Sequence, residues 1–281
     1  MITMLKPVRK FIHSALRYLC IFLLLACLLF PVLMLISTSL KLPGEILTGE
    51  HILPQELTFY NFLRMAGIPR FRRYLLNTLF VSLATTLLSL VVSCLAAYSL
   101  SSFRYPGRQL FSRFILMAYM FPGVLLIIPL FLIFNTYKLI DSYWSLIIAY
   151  TTFSVPFCAW MLKGFFDGLP KELEDAAIID GCTRLQVLTK IIIPLSTPAI
   201  MATGAFAFML AWNDFLFALV FINSDSLRTL SVGLNTLLGL YYFDYGLLSS
   251  ASIIMIIPVL ILFLSIQRMI VSGLSAGAVK G

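Results

Sequence analysis

Apolar residues fill this chain in long runs, and polar residues gather at the joints between them. A helix needs about 20 apolar residues to cross a bilayer. Six runs approach or exceed that length: 18–36, 75–100, 111–134, 143–162, 199–222 and 246–270. The pattern predicts an all-α integral membrane protein with six transmembrane helices. Residues 1–17 form a short N-terminal segment, 18–270 a single six-span domain, and 271–281 a small, flexible tail. The first run is longer than the 7–15 residues or so of a secretory leader. An uncleaved first span is therefore expected, with cleavage after Ser37, Thr38 and Ser39 as the weaker alternative.

The joints differ in character. Residues 41–73 hold Pro43, Gly44, Pro54, Gly67 and Pro69 and contain no run that spans a bilayer. Within them, 58–65 reads as a short interfacial helix with Phe59, Phe62 and Leu63 facing lipid or protein. Residues 101–108 and 135–142 read as tight turns, and 223–245 as a loop carrying Asp225, Arg228 and Asp244. The second span is rich in Thr78, Ser82, Thr85, Thr86, Ser89 and Ser93, small side chains that let helices pack closely in a membrane. The third holds Pro122, Gly123 and Pro129. Proline frees backbone carbonyls that neighbouring helices or a wet cavity must satisfy. A moving, cavity-lining helix and a static kink both fit.

The stretch 163–198 stands apart. It is the long polar island of the second half and carries Asp167, Glu172, Glu174, Asp175 and Asp180, five of the twelve acidic residues. Pro170 suits a first helical turn, where its missing N–H has no partner anyway. Leu173, Ala176, Ala177 and Asp180 follow one helical face. Gly181 supplies a left-handed stop. Thr183 and Gln186 have the spacing of a capping box that opens a second helix, with Pro194 and Pro198 expected to end it. Such a helix pair fits another protein's groove. A solvated loop between two spans explains the same composition equally well.

Only 11% of residues are charged and 60% are hydrophobic, against about 25% charged in soluble domains. The net charge of +8 therefore reads as basic loops at a membrane and not as nucleic-acid binding. With the N-terminus inside, thirteen of the twenty Lys and Arg fall on the cytoplasmic side, which favours N-in and C-in. The cluster Arg70, Arg72 and Arg73 opposes that count. Cys20, Cys27, Cys94, Cys158 and Cys182 show no paired spacing, and His13 and His51 are isolated. No disulfide framework, metal site or cofactor is expected.

The run Asp175-Ala176-Ala177-Ile178-Ile179-Asp180-Gly181, then nine residues, then Ile191-Ile192-Ile193-Pro194, resembles the EAA loop of ABC importer permeases. Asp175 stands where that family has Glu, and Ile193 where it has Leu. Residues 77–108, 211–221 and 228–234 and the closing 273–281 are similar to carbohydrate-uptake permeases of the maltose-type inner permease family. That resemblance implies a cytoplasmic coupling helix between spans four and five. It implies import of a di- or oligosaccharide, or a related polyol or sugar phosphate, across a bacterial or archaeal cytoplasmic membrane. The implied partners are two copies of an ATP-hydrolysing subunit, a second homologous permease, an extracytoplasmic substrate-binding protein and membrane lipid. The chain has no phosphate-binding GxxxxGK[ST] run, so it is expected to be no enzyme and to draw energy from the partner. Glu174, Asp175, Ala176, Ala177, Asp180 and Gly181 become the coupling residues, with Asp175 pairing a basic group of the ATPase and Glu174 as the second choice of acid. Gly273, Gly277 and Lys280 lie in a tail that resembles an ATPase-contacting segment; a disordered terminus explains it as well.

Asp214 is the one acid well inside a predicted run. A charge at mid-membrane costs about 2.5–3.5 kcal/mol on insertion scales, so it is expected to face the bundle interior. It either meets sugar hydroxyls or fixes helix packing with Asn213, and Trp212 either stacks on a sugar ring or packs. An ion-coupled secondary transporter is the main competing function, and a single intramembrane acid is poor equipment for one.

Overall fold

The computed structural model describes residues 5–240 and 244–278, and the side chains within 13–236 and 244–267. The described residues are helical wherever they are regular. The chain divides into two units, Met1–Ile68 with Leu238–Ile256, and Pro69–Leu237 with Ile257–Gly281.

The first unit begins with α1 (Leu5–Ser39), whose most apolar stretch is exposed, while Ser37 and Ser39 at its end are buried. Two short helices follow, α2 (Pro43–Thr48) and α3 (Tyr60–Ala66). The sequence had placed no helix at α2, because six residues are too few to show a helical period. Asn61 of α3 is fully buried, and its amide donates to the carbonyls of Ser39 at 3.1 Å and Lys41 at 2.7 Å. Of the three apolar residues expected to face outward, Phe59 and Leu63 are exposed and Phe62 is partly buried. Arg64 pairs with Asp244 at 2.8 Å.

The second unit is built on α4 (Pro69–Ser102), α7 (Tyr143–Asp167) and α11 (Thr197–Asn213). Ser82, Thr85, Ser89 and Ser93 of α4 are fully buried, and the Ser89 and Ser154 hydroxyls meet at 2.6 Å. The small residues of this helix are thus packing residues. At the other end of α4 an added Cβ at Gly233 would sit 2.1 Å from the Tyr74 ring, so only glycine lets that ring seat.

Two of the predicted spans are broken. Residues 111–134 resolve into α5 (Arg108–Tyr119) and, after the Gly123–Leu126 turn, α6 (Ile127–Thr136), bent by 91°. Pro122 is extended at ψ 116 and cannot continue the hydrogen-bond ladder. Residues 199–222 break at Asp214, between α11 and a short helix named below. Among the described residues four helices are long and apolar enough to cross a membrane, or up to six if each of two bent pairs, Arg108–Tyr119 with Gly123–Thr136 and Arg184–Leu195 with Thr197–Asn213, is one span.

After α7 come α8 (Lys171–Ile179) and α9 (Arg184–Val187). Helix α9 runs on through a π-helical turn, Leu188–Ile192, and α10 (Ile193–Leu195). The expectation that Pro194 ends this helix is corrected. The Ile193 N–H reaches Leu188 in the widened turn, and Pro194, with no N–H to place, follows inside the helix. The stop comes at Ser196, where the axis turns by 85°. Beyond α11 lie α12 (Leu216–Phe221), α13 (Leu230–Leu240) and α14 (Tyr245–Ala278). The stretch read as a loop from 223 therefore contains a helix. The last helix runs past 270 to Ala278, so Gly273 and Gly277 are helical in backbone, while Lys280 lies outside the described residues.

Candidate functional site

The α8–α9 pair owes its shape to local chemistry. Pro170, at φ −60, precedes α8, and Glu172 and Glu174 in the first turn suit the positive end of the helix dipole. At the other end the Gly181 N–H bonds the Ile178 carbonyl at 3.0 Å and the Cys182 N–H bonds Ala177 at 2.9 Å. That is the paired closure of a Schellman stop, and it requires the left-handed φ of +84 found at Gly181. The capping box forms as expected. Thr183 N–H donates to Gln186 Oε1 at 2.8 Å, and Gln186 N–H to Thr183 Oγ1 at 3.3 Å.

Ala177, Val187, Leu188 and Ile192 are buried against Cys94, Ala97 and Tyr98 of α4 and Leu162 and Phe166 of α7. The predicted face therefore divides. Ala177 anchors the pair, while Leu173, Asp175, Ala176, Ile179 and Asp180 are exposed. Glu174 is partly buried and accepts from Ser102 Oγ at 2.8 Å. The Arg184 guanidinium lies over the Phe103 ring, 5.5 Å from its centre. Both contacts tie the pair to the end of α4. A helix pair results that is held on one side by α4 and α7 and presents Asp175, with Glu172 and Asp180, beside small and apolar side chains.

A second site surrounds the break at Asp214. This residue is extended (ψ 140) and caps α11, so it lies between two helices and not within one. The Tyr150 hydroxyl donates to its Oδ2 at 2.7 Å, and the Ala218 N–H at 3.1 Å caps α12. Packing is thus done with Tyr150, not Asn213. Asn213 is exposed and donates to the Met209 carbonyl at 3.0 Å.

Asn213 and Asp214 line a cavity of ≈ 400 Å³ together with Tyr119, Phe121, Thr152, Phe153 and Phe206. Small-ligand sites span about 300–1,000 Å³ and combine aromatic walls with a few polar groups. Trp212 is not among the lining residues. It is 1% exposed and stacks on Phe208 at 5.3 Å, so of its two readings the packing one fits. The sequence missed Tyr150 and Thr152 because nothing local marks them. The dipeptide Pro122-Gly123 did mark the break that opens the cavity wall at Phe121.

A profile of the family described as "Binding-protein-dependent transport system inner membrane component" matches residues 89–275. The sulfoquinovosyl glycerol transport system permease protein of Agrobacterium fabrum is 38% identical over 273 residues, 96% of this chain and 95% of that one. The trehalose/maltose transport system permease protein of Thermococcus litoralis is 36% identical over 256 residues, 90% of this chain and 92% of that one. Among solved structures, a chain of a bacterial ABC transporter involved in the import of the acidic polysaccharide alginate superposes with a TM-score of 0.82, covering 92% of this chain and 96% of that one. At 24% identity that likeness is one of fold.

Proposed function

This chain belongs to the binding-protein-dependent transport system inner membrane components, as a sugar ABC importer permease, and on that premise we propose how it is driven and what it moves. The family is the membrane part of a transporter and not an enzyme. The cargo is a di- or oligosaccharide or a close derivative, in keeping with the glycoside, disaccharide and polysaccharide named for the relatives. It passes the cavity at Asn213 and Asp214, where Tyr119, Phe153 and Phe206 offer ring faces and the amide and carboxylate meet hydroxyls.

An ATP-hydrolysing subunit docks on α8 and α9 from the cytosol, one on this chain and a second on a homologous permease partner. Asp175 meets a basic group there, Ala176 allows close approach, and Ala177, Asp180 and Gly181 hold the shape. The orientation is N-in and C-in, the bent helices complete six spans, and the tail from Gly273 through Gly277 to Lys280 reaches toward the ATPase. An extracytoplasmic binding protein delivers the sugar. ATP-driven closure of the partner displaces the helix pair, and the breaks at Pro122, Ser196 and Asp214 let the cavity-lining helices tilt between two arrangements.

The observation that carries this reading is the α8–α9 pair, its joint fixed by the Gly181 stop and the Thr183–Gln186 box, buried on α4 and α7 while Asp175 and Ala176 stay exposed. The test is Gly181→Val, a β-branched residue forced to φ +84. The variant should insert in membranes, lose the ATPase subunit on purification and lose ATP-dependent uptake. Normal uptake by it would remove the helix pair from the mechanism. Solute movement in vesicles by the chain without ATP would instead favour ion coupling.

A further inference from the structure

Beside the helix pair, where α4 gives way to α5, the chain gathers four cations. Arg104, Arg108 and Arg113 line a cavity of ≈ 470 Å³ that also includes Gly107 and Leu110. Arg108 and Arg113 line a second cavity of ≈ 290 Å³ with Lys163 of α7. Neither lining contains a carboxylate.

Among the described residues, Lys163 has an ion-pair partner, Asp167 at 2.5 Å. Among the described residues no carboxylate lies within ion-pair distance of Arg104, Arg108 or Arg113. Arg108 is held in place through the neutral carbonyls of Ser101 at 3.2 Å and Phe103 at 2.9 Å. Those bonds fix its guanidinium, whose charge is shared only at longer range with Asp167, the carboxylate that Lys163 pairs.

The same helix, α5, is apolar on another flank. Leu110, Phe114 and Met117 are 73%, 64% and 67% exposed at i, i+4 and i+7. Basic residues gathered where an apolar helix meets the bilayer sit at headgroup level, with the apolar flank among the acyl chains. Basic pockets between membrane helices take lipid phosphates. Guanidinium groups match phosphate oxygens in geometry as well as charge.

We infer that Arg104, Arg108, Arg113 and Lys163 form a binding site for the phosphodiester headgroup of an anionic membrane lipid, whose acyl chains run along Leu110, Phe114 and Met117. The site adjoins the Ser102–Glu174 contact, so a bound lipid braces the end of α4 on which the helix pair rests. The inference uses the membrane location of the family and not the coupling reading.

The test uses the full chain, purified from membranes with the subunits it retains and placed in nanodiscs or mild detergent. Native mass spectrometry would compare retention of phosphatidylglycerol with that of phosphatidylcholine. The variants are Arg104→Gln and Arg113→Gln, both at exposed residues. Arg108 is left intact because it holds the turn. Each basic side chain near a membrane surface contributes about 1 kcal/mol, or roughly fivefold. Phosphatidylglycerol should be retained over phosphatidylcholine, and about fivefold less in each variant.

Equal retention of the two lipids, or unchanged phosphatidylglycerol binding in both variants, overturns the inference. So does full competition by millimolar inorganic phosphate, which would make the ligand a free anion. Loss of the ATPase with lipid retention unchanged would mark the patch as a protein contact and overturn it as well. Gly181→Val should leave lipid retention intact, which separates a failure here from a failure of the coupling mechanism.

Discussion

The hydroxyl of Ser102 donates to the carboxylate of Glu174 across 2.8 Å, joining residues 72 positions apart. Two neighbouring acids of one short helix thereby acquire different work. Glu174 is committed to its own chain, and Asp175 is exposed.

Exchange of each acid for its amide should separate these roles. Asp175→Asn is expected to lower ATPase retention about tenfold or more, since losing one partner of a charge pair at an interface costs about 2 kcal/mol or more when the pair is buried there. Glu174→Gln keeps an oxygen for Ser102 and should leave retention within about twofold. Glu174→Ala should destabilise the chain by about 1 kcal/mol, the net worth of one hydrogen bond. Pull-down and thermal melting of the three variants check the assignment. A larger retention loss from Glu174→Gln than from Asp175→Asn would reverse it.

Tyr150 and Asp214 make a second such pair. Tyr150→Phe removes the hydroxyl donor at 2.7 Å and leaves a partly buried carboxylate short of a partner. A loss of about 1–3 kcal/mol is expected, read as a lower melting temperature. Asp214→Asn retains an oxygen for both the hydroxyl and the α12 cap. It should melt near the parent and raise the KM for sugar uptake if the carboxylate meets substrate. An unchanged KM in a folded Asp214→Asn protein would confine Asp214 to packing.

Asp141 provides the pH test. It sits at φ +60 in the turn before α7, and its carboxylate accepts from the Ser224 hydroxyl and from the N–H groups of Ser224 and Asn223, at 2.8 and 2.9 Å. The Ser224 hydroxyl bond, then the Ser224 N–H, hold its pKa below the ordinary 3.8 against a smaller opposing effect of burial. A carboxyl with a depressed folded pKa adds stability that is fully present above its unfolded value and is lost as pH falls through the folded one. The chain should therefore weaken on acidification from about pH 4 downward. Asp141→Asn should be less stable at neutral pH and show a shallower acid loss. Melting curves from pH 3 to 7 would record both, and identical slopes would refute the clamp.

Gly233 and Tyr74 are in contact across the fold. An alanine at 233 would place its Cβ 2.1 Å from a ring carbon of Tyr74. The ring belongs to a fully buried residue whose hydroxyl donates to Asp225 at 2.6 Å, so it has little room to turn. Gly233→Ala should cost about 1–3 kcal/mol, as overpacked cores do, and pairing it with Tyr74→Ala should recover part of the loss. A melting temperature equal to the parent's would show that the ring yields freely.

Much of this architecture is written in short-range pattern. Apolar runs longer than a bilayer is thick admit few alternatives to helices, and α1, α4, α7 and α14 lie where the runs are. The Gly181 stop and the Thr183–Gln186 box were readable because each is satisfied within five positions along the chain. Their chemistry does not depend on what lies elsewhere.

Tertiary structure decided what depends on partners distant in the chain. The sequence placed Asp214 inside a span, and packing put it at a break where Tyr150, 64 positions away, supplies its donor. It set Glu174 beside Asp175, and Ser102 holds one of them to its own chain. It marked Pro194 as a stop, and a π-turn carried the helix past it to Ser196. A buried polar group must find a partner wherever the fold brings one. Local pattern therefore determined which segments are helices and where the helix pair turns. Only the folded chain determined which acids are held and which are exposed.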